Sequence, residues 1–176
     1  RSFINDDAST LKKLKLSTKL FLKCKNKKKK IILVGNGGSA STASHVAVDL
    51  SKNANTRAIN FNEPNLITCL ANDYGFENYF KEAIRIYADA GDLIVFISCS
   101  GESKNLINAI KFSKSKKFKC ITLTGRSKTN TLRKINKSGV NFWVNSNSYN
   151  IIESVHMTWL LSIVDSIIGT SVYEPN

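Results

Sequence analysis

Short apolar runs alternate with amphipathic stretches along most of this chain of 176 residues. Five of the runs are rich in β-branched residues and have the length of strands: 30–34, 57–61, 92–98, 120–124 and 141–144. Several are apolar at consecutive positions, which is typical of parallel strands covered on both faces. Stretches of helical length, such as 41–51 and 103–115, lie between them. The alternation predicts an α/β domain with a five-stranded parallel sheet, helices on both faces and the flavodoxin-like order 2-1-3-4-5.

Two longer helices are predicted near the ends of the chain. Residues 6–26 carry an apolar stripe and are followed by four lysines, 27–30, which favour a helix C-terminus because the backbone carbonyls there are partly negative. Residues 150–168 are apolar on nearly all sides, and such a helix is buried by more than one neighbour. We therefore expect a homo-oligomer in which the helix of residues 1–29 makes a subunit contact and residues 30–176 form the main domain.

The composition is globular with an excess of basic residues. Hydrophobic residues make up 42% of the chain, and 26 Lys and Arg stand against 13 Asp and Glu. A net charge of +13 attracts anions: nucleic acid, membrane surfaces or phosphorylated metabolites. Nucleic acid is the weakest of these partners, because the basic residues are spread along the chain without a nucleic-acid-reading motif. No apolar run reaches ~18 residues without a polar interruption, so no membrane partner is expected.

Four cysteines occur, at Cys24, Cys69, Cys99 and Cys120, without a CxxC pair. This spacing favours buried, reduced thiols over a disulfide scaffold. A reducing cytoplasm is the compartment that fits such cysteine usage.

Two loops that follow predicted strands carry candidate residues for binding an anionic ligand. Residues 35–41 read Gly-Asn-Gly-Gly-Ser-Ala-Ser, and their glycines let backbone N–H groups approach a ligand. Residues 97–103 read Ile-Ser-Cys-Ser-Gly-Glu-Ser. Ser98, Ser100 and Ser103 are candidate donors to phosphate oxygens, with a helix N-cap as the alternative role of Ser103. In the predicted strand order both loops open into one crevice, which indicates a phosphate-ligand site.

Acid–base groups are predicted beside these loops. His45 and Asp49 lie four residues apart on one helix and share a face, as either a base with a metal ligand or a structural ion pair. Glu153 in the last helix is a second candidate carboxylate, and its spacing from Asn150 also fits a capping box. His156 is equally suited to the site and to an interface.

The two loops together resemble the SIS (sugar isomerase) domain family. Residues 71–76, Ala-Asn-Asp-Tyr-Gly-Phe, are similar to a further motif of its phosphoheptose isomerase branch. The resemblance extends over about residues 31–168. It implies that the serines of the second loop hold a sugar phosphate and that further residues contact the substrate: Asn36, Gly37, Ser39, Asp73 and Cys99.

The resemblance also implies a reaction and an assembly. The branch converts sedoheptulose 7-phosphate into a heptose 7-phosphate through an enediol, feeding lipopolysaccharide or capsule synthesis, usually as a cytoplasmic homotetramer. A phosphosugar aldose–ketose isomerase is therefore the expected activity of this chain.

The catalytic residues of the branch are only partly matched. The family carries a His and a Glu on the helix after the first loop, where this chain has His45 and Asp49. Its last helix carries a Gln and a second His, where this chain has Glu153 and Leu161. The resemblance implies that His45, Asp49 and Glu153 are the catalytic set and hold a divalent metal, which is zinc in some members.

Leu161 leaves two other functions open. One is a non-catalytic SIS-domain protein that binds a sugar phosphate or regulates a partner, like the family member that binds the bacterial replication initiator. The other is an isomerase of a different phosphosugar. Exchange of a substrate proton with solvent separates the enzymes from the binding protein.

Overall fold

The structure is a computed structural model of the chain, and it describes residues 7–172. Its strands are β1 (Ile31–Gly35), β2 (Ala58–Asn60), β3 (Leu93–Ser98), β4 (Lys119–Thr124) and β5 (Val140–Trp143). Its helices are α1 (Asp7–Asn26), α2 (Gly38–Lys52), α3 (Pro64–Tyr74), α4 (Tyr79–Tyr87), α5 (Lys104–Ser115), α6 (Thr131–Ile135) and α7 (Tyr149–Ile168).

All five strands pair in parallel in the order β2-β1-β3-β4-β5, which confirms the predicted fold class and strand order. Each strand begins and ends within one residue of its predicted bounds. The chain leaves β1 toward one edge of the sheet and leaves β3 toward the other. The carboxyl ends of β1 and β3 therefore flank the point where ligands bind in open α/β sheets.

Helices cover both faces of the sheet, as the apolar strand runs predict. Successive strand side chains point to opposite faces, so Ile31 and Leu33 belong to one apolar cluster and Ile32 and Val34 to the other. Helices α1, α2 and α7 bury the first cluster, and α3, α4 and α5 bury most of the second. Every residue of β1 and of β3 is buried as a result.

One lysine of the run after α1 belongs to a buried ion-pair network. Lys30 lies 8% exposed, and its Nζ pairs with Asp92 Oδ2 at 2.9 Å and with Asp89. Asp92 also accepts the backbone N–H of Lys30 at 2.8 Å. This network ties the start of β1 to the start of β3, at the amino ends of the strands and so opposite the predicted phosphate site.

Helix α7 is long and apolar enough to cross a membrane, judged by length and composition alone. Its buried residues include Ile152, Leu160 and Val164, which pack in the same apolar cluster as the sheet. A core helix of an α/β domain meets the same criteria of length and composition. One face of α7 packs on the sheet, and 33% of its apolar window is buried within this chain.

All four cysteines are free thiols. Cys24, Cys99 and Cys120 are buried, whereas Cys69 is exposed on α3. Burial raises the pKa of Cys99 to about 11, with the charge of Glu153 adding to the shift, and burial raises the pKa of Cys120 to about 12. Both thiols are therefore protonated at neutral pH and act as weak S–H donors, Cys99 to Glu153 and Cys120 to the carbonyl of Phe118.

Candidate functional site

A cavity of about 140 Å³ opens at the carboxyl ends of β1 and β3. It is lined by residues of both glycine- and serine-rich loops and of the starts of α5 and α7: Asn36, Ser39, Ile97, Ser98, Cys99, Ser100, Ser103, Leu106, Tyr149 and Glu153. The topology thus brings the two predicted loops into one crevice, at the position expected for a ligand.

The serine loop presents hydroxyl donors to this cavity. Ser98 Oγ accepts the N–H of Gly101 at 3.0 Å, and Ser100 Oγ accepts the N–H of Glu102 at 3.1 Å. A hydroxyl that accepts one bond keeps its hydrogen to donate, so both serines are oriented donors for an anion. Ser103 occupies the N-cap position of α5 but makes no side-chain capping bond. Its hydroxyl therefore adds a third donor beside the partly positive helix N-terminus.

An amide pair locks the first loop to α5. Asn36 Nδ2 donates to Asn105 Oδ1 at 3.1 Å, and Asn105 Nδ2 donates to Asn36 Oδ1 at 2.9 Å. Asn105 is 2% exposed and its Oδ1 also accepts the N–H of Leu106. The pair fixes the distance between the loops that follow β1 and β3. Asn105 is missing from the sequence-predicted set, although a polar residue on the buried face of the helix after the serine loop is a usable signal.

Glu153 reaches from α7 over the start of α2. Gly37, with φ +54°, precedes α2, and Gly38 is its first residue. A Cβ added at Gly38 would lie 2.5 Å from the carboxyl carbon of Glu153 and 2.6 Å from its Oε1. The thiol of Cys99 donates to Glu153 Oε1 at 3.6 Å. The missing side chain at Gly38 thus leaves the space that the Glu153 carboxylate occupies.

The predicted capping box of Glu153 is wrong. Helix α7 begins at Tyr149 with Ser148 as its N-cap, two residues earlier than Asn150 as N-cap requires. No side chain caps the helix. Glu153 is therefore the fifth helical residue, beyond the turn in which a carboxylate reaches back to the N-cap, and its side chain is left to the cavity.

His45 and Asp49 form the predicted pair on α2, with His45 Nε2 3.4 Å from Asp49 Oδ2. Asn53 Nδ2 donates to the other carboxylate oxygen at 3.2 Å. The His45 side chain is 56% exposed and that of Asp49 is 19% exposed. Neither lines the cavity. At a rise of 1.5 Å per residue, His45 lies about 9 Å along α2 from Ser39.

The predicted metal ligands do not come together within one chain. Over residues 7–172 the structure contains no group of three His, Cys, Asp or Glu side chains able to hold a metal ion. His45 and Asp49 stay paired on α2, while Glu153 is hydrogen-bonded to Cys99. A protein metal site needs at least three ligands as a rule, so the residues of a single chain do not fit the predicted zinc.

Comparison with known proteins identifies the family of this domain. Residues 4–125 match the SIS domain. The chain belongs to the SIS domain family. Curated phosphoheptose isomerases from Aliarcobacter butzleri and Fusobacterium nucleatum are both 34% identical to it, over 148 and 131 residues. The alignments cover 78% and 72% of this chain and 76% and 67% of those proteins.

Solved structures agree with this assignment. The phosphoheptose isomerase of Neisseria gonorrhoeae superposes with a TM-score of 0.83 at 30% identity, covering 90% of this chain and 87% of that one. The phosphoheptose isomerase of Francisella tularensis shares the fold, with a TM-score of 0.83 at 24% identity over 90% of this chain and 86% of that one.

Three residues considered from the sequence lie away from the cavity: Asp73, His156 and Leu161. Asp73 is exposed near the end of α3 and accepts Asn72 Nδ2 at 3.0 Å. His156 is fully buried, its Nε2 bonds the carbonyl of Thr124 at 3.2 Å, and burial lowers its pKa to about 4. It is a core residue of the SIS domain rather than a group of the site. Leu161 packs half-buried against the same core.

Tyr149 and Leu106 line the cavity without having been predicted from the sequence. Tyr149 is missed because the last helix is predicted to begin one residue later. Leu106 is missed because a helical leucine signals only core packing. Wall residues of this kind become visible when the elements are assembled in space.

Proposed function

We propose that this chain is a ketose–aldose isomerase that converts sedoheptulose 7-phosphate into a heptose 7-phosphate. The observation that most supports this proposal is the cavity between the carboxyl ends of β1 and β3. The hydroxyls of Ser98, Ser100 and Ser103 line it beside the N-terminus of α5. The similarity to proteins named phosphoheptose isomerase, at 34% identity in sequence and 30% in a solved structure, supports this reaction.

The layout of the charged groups suits an extended seven-carbon substrate. Its phosphate is on C7 and its reacting carbons are C1 and C2, so the acid–base groups must lie a sugar's length from the phosphate loop. His45 lies about 9 Å along α2 from the cavity residue Ser39, with Asp49 one turn beyond. A seven-carbon chain held by its phosphate spans a distance comparable to that of His45, whose Nε2 lies 3.4 Å from Asp49 Oδ2.

In the proposed reaction, Asp49 takes a proton from C1, the C1–C2 double bond forms, and O2 takes a proton from His45. Reversal on the other side of the enediol completes the isomerisation: O1 gives its proton to His45, the C1 carbonyl forms, and Asp49 returns its proton to C2. Glu153 is the second carboxylate and accepts hydrogen bonds from sugar hydroxyls. Positioned proton transfer of this kind contributes about 10²–10⁴-fold to a rate.

We place this enzyme in the cytoplasm as a homotetramer that supplies heptose for surface polysaccharide. Exposed apolar side chains support an assembly: Leu11 and Leu16 on α1 are 55% and 48% exposed, and Val48 beside His45 is 60% exposed. An assembly would also shield the exposed His45–Asp49 pair from bulk water.

Proton NMR of the purified protein with sedoheptulose 7-phosphate in D2O tests the proposal. We expect deuterium at the reacting carbons and the appearance of aldose signals. Asp49→Asn should abolish both, whereas Asp165→Asn, about 18 Å along α7 from Glu153, should keep both. Exchange with another phosphosugar but not with this heptulose would refute the substrate assignment.

A second function is favoured by one observation. Leu161, which packs in the core where the family carries its second His, offers no acid–base group. Binding of the sugar phosphate without any exchange would contradict the isomerase and identify a sugar-phosphate-binding protein.

A further inference from the structure

Arg126 lies beside the mouth of the cavity, just after β4. Its Nη1 donates to the hydroxyl of Tyr149 at 3.2 Å, and its guanidinium carbon lies 5.7 Å from the centre of the Tyr149 ring. Tyr149 itself lines the cavity. The guanidinium is thus in contact with a side chain of the cavity wall. Four of its five N–H donors remain for other partners.

The backbone of Arg126 is held in an unusual conformation. Its φ is +51°, a left-handed value that costs a non-glycine residue roughly 1–2 kcal/mol. Its N–H donates to the carbonyl of Ser146 at 2.9 Å, and its carbonyl accepts Trp143 Nε1 at 3.2 Å. The two bonds fix the direction in which the side chain leaves the loop. Strained residues of this kind cluster at ligand-binding sites.

The cavity lacks a positive charge of its own. Among the side chains that line it, Glu153 alone carries a formal charge, and that charge is negative. A phosphate dianion bound to the serine hydroxyls is therefore repelled by the carboxylate unless a cation stands near. The charge of Arg126 acts on this space. It lowers the pKa of the cavity residue Cys99, against burial and the Glu153 charge, which raise it.

We propose that Arg126, held by Tyr149, contacts the phosphate of the bound sugar and makes the site selective for phosphorylated over neutral sugars. The inference rests on the proposed function and specifies its substrate recognition. A guanidinium presents paired N–H groups that match two phosphate oxygens, which an ammonium cannot do. Tyr149 accepts one N–H, which leaves the other four donors of the guanidinium for the phosphate.

Calorimetric titration with inorganic phosphate and with sedoheptulose 7-phosphate tests this role. Arg126→Gln should weaken both affinities by about tenfold or more, because a hydrogen bond to a charged group is lost. The affinity for unphosphorylated sedoheptulose should be unchanged. Lys128→Gln is the matched control, since it removes a positive charge two residues away that lies 5.6 Å from the Trp143 ring instead. Its affinities should stay within about twofold.

Two further variants test whether the Arg126 side chain and its bond to Tyr149 are responsible for the phosphate affinity. Arg126→Gly adopts the left-handed backbone without strain, so it must show the same loss as Arg126→Gln if the side chain is responsible. Tyr149→Phe removes the hydroxyl that accepts the guanidinium and should lose part of the affinity, with no further loss on adding Arg126→Gln beyond that of Arg126→Gln alone. Unchanged phosphate affinity in the Arg126 variants would overturn the assignment, and so would a loss confined to Lys104→Gln, at the first residue of α5.

The same titrations separate this inference from the isomerase proposal. Wild-type protein that binds sedoheptulose 7-phosphate through Arg126 without solvent exchange would refute the reaction and leave the phosphate contact standing. Exchange that proceeds with unchanged affinity in Arg126→Gln would keep the reaction and refute the contact.

Discussion

Replacing Gly38 by alanine should separate the activity of this protein from its stability. The added methyl group would lie 2.5 Å from the carboxyl carbon of Glu153, whereas ordinary contacts of a Cβ atom begin at 3.4 Å. The Oε2 of Glu153 would be closer still, so the carboxylate must move by about 1 Å. Glu153 is a half-buried, flexible side chain at the cavity edge, so its carboxylate moves more easily than the backbone of α2 or α7.

Stability should change little in Gly38→Ala. Alanine in a helix is favoured over glycine by roughly 0.5–1 kcal/mol, which offsets part of the cost of displacing the carboxylate. We expect a free energy of unfolding within about 1 kcal/mol of the wild type. Activity should fall by roughly 100-fold in kcat/KM, because a displacement of about 1 Å in a catalytic site has that effect.

Isomerisation followed by NMR and urea unfolding of the same preparations provide the test. Glu153→Ala removes the group that the methyl displaces, so adding Gly38→Ala to that variant should cause little further loss. Full activity of Gly38→Ala beside an impaired Glu153→Ala would show that the methyl group fits without moving the carboxylate. A loss of about 3 kcal/mol or more in stability would show instead that α2 and α7 are forced apart.

Three further predictions follow from other parts of the structure. His156 is neutral in the core with a pKa of about 4, while the unfolded chain binds its proton below about 6.5. The free energy of unfolding should therefore fall between pH 6.5 and 4 by about 3 kcal/mol more in the wild type than in His156→Gln, measured by urea unfolding. Asp92→Asn should lose about 3 kcal/mol, because it leaves the buried Lys30 with a weakened partner; a loss under 1 kcal/mol would show that Asp89 suffices. Dialysis against EDTA should leave solvent exchange unchanged, since residues 7–172 of one chain bring no three ligands together; activity lost and restored by zinc would show that another subunit completes the set.

Much of the fold could be predicted from local pattern. Apolar runs of strand length and helical spacing predict all five strands to within one residue, and connection rules for parallel strands then restrict their order. The His45–Asp49 pair follows from helical geometry alone, because residues four apart share a face. The serine loop is predicted for the same reason: strand, turn and helix are adjacent in sequence.

Site residues whose partners are distant in sequence could not be predicted in this way. The role of Glu153 depends on where α7 begins and on the missing side chain at Gly38, 115 positions before it. His156 is a candidate for the site in sequence, yet the packing of α7 on β4 places its ring against the carbonyl of Thr124. Both outcomes depend on contacts between elements that are distant in sequence, which the hydrophobic pattern of one helix does not show.

By itself, the sequence determined the α/β class, the strand order and the two loops that flank the switch point, because each depends on neighbours along the chain or on general rules of strand connection. Only the tertiary structure decided which side chains share the cavity. The amide pair of Asn36 and Asn105 and the contact between Arg126 and Tyr149 join residues 69 and 23 positions apart. Such pairs form when separate helices and loops pack against one sheet, and their geometry is a property of that packing rather than of any local segment.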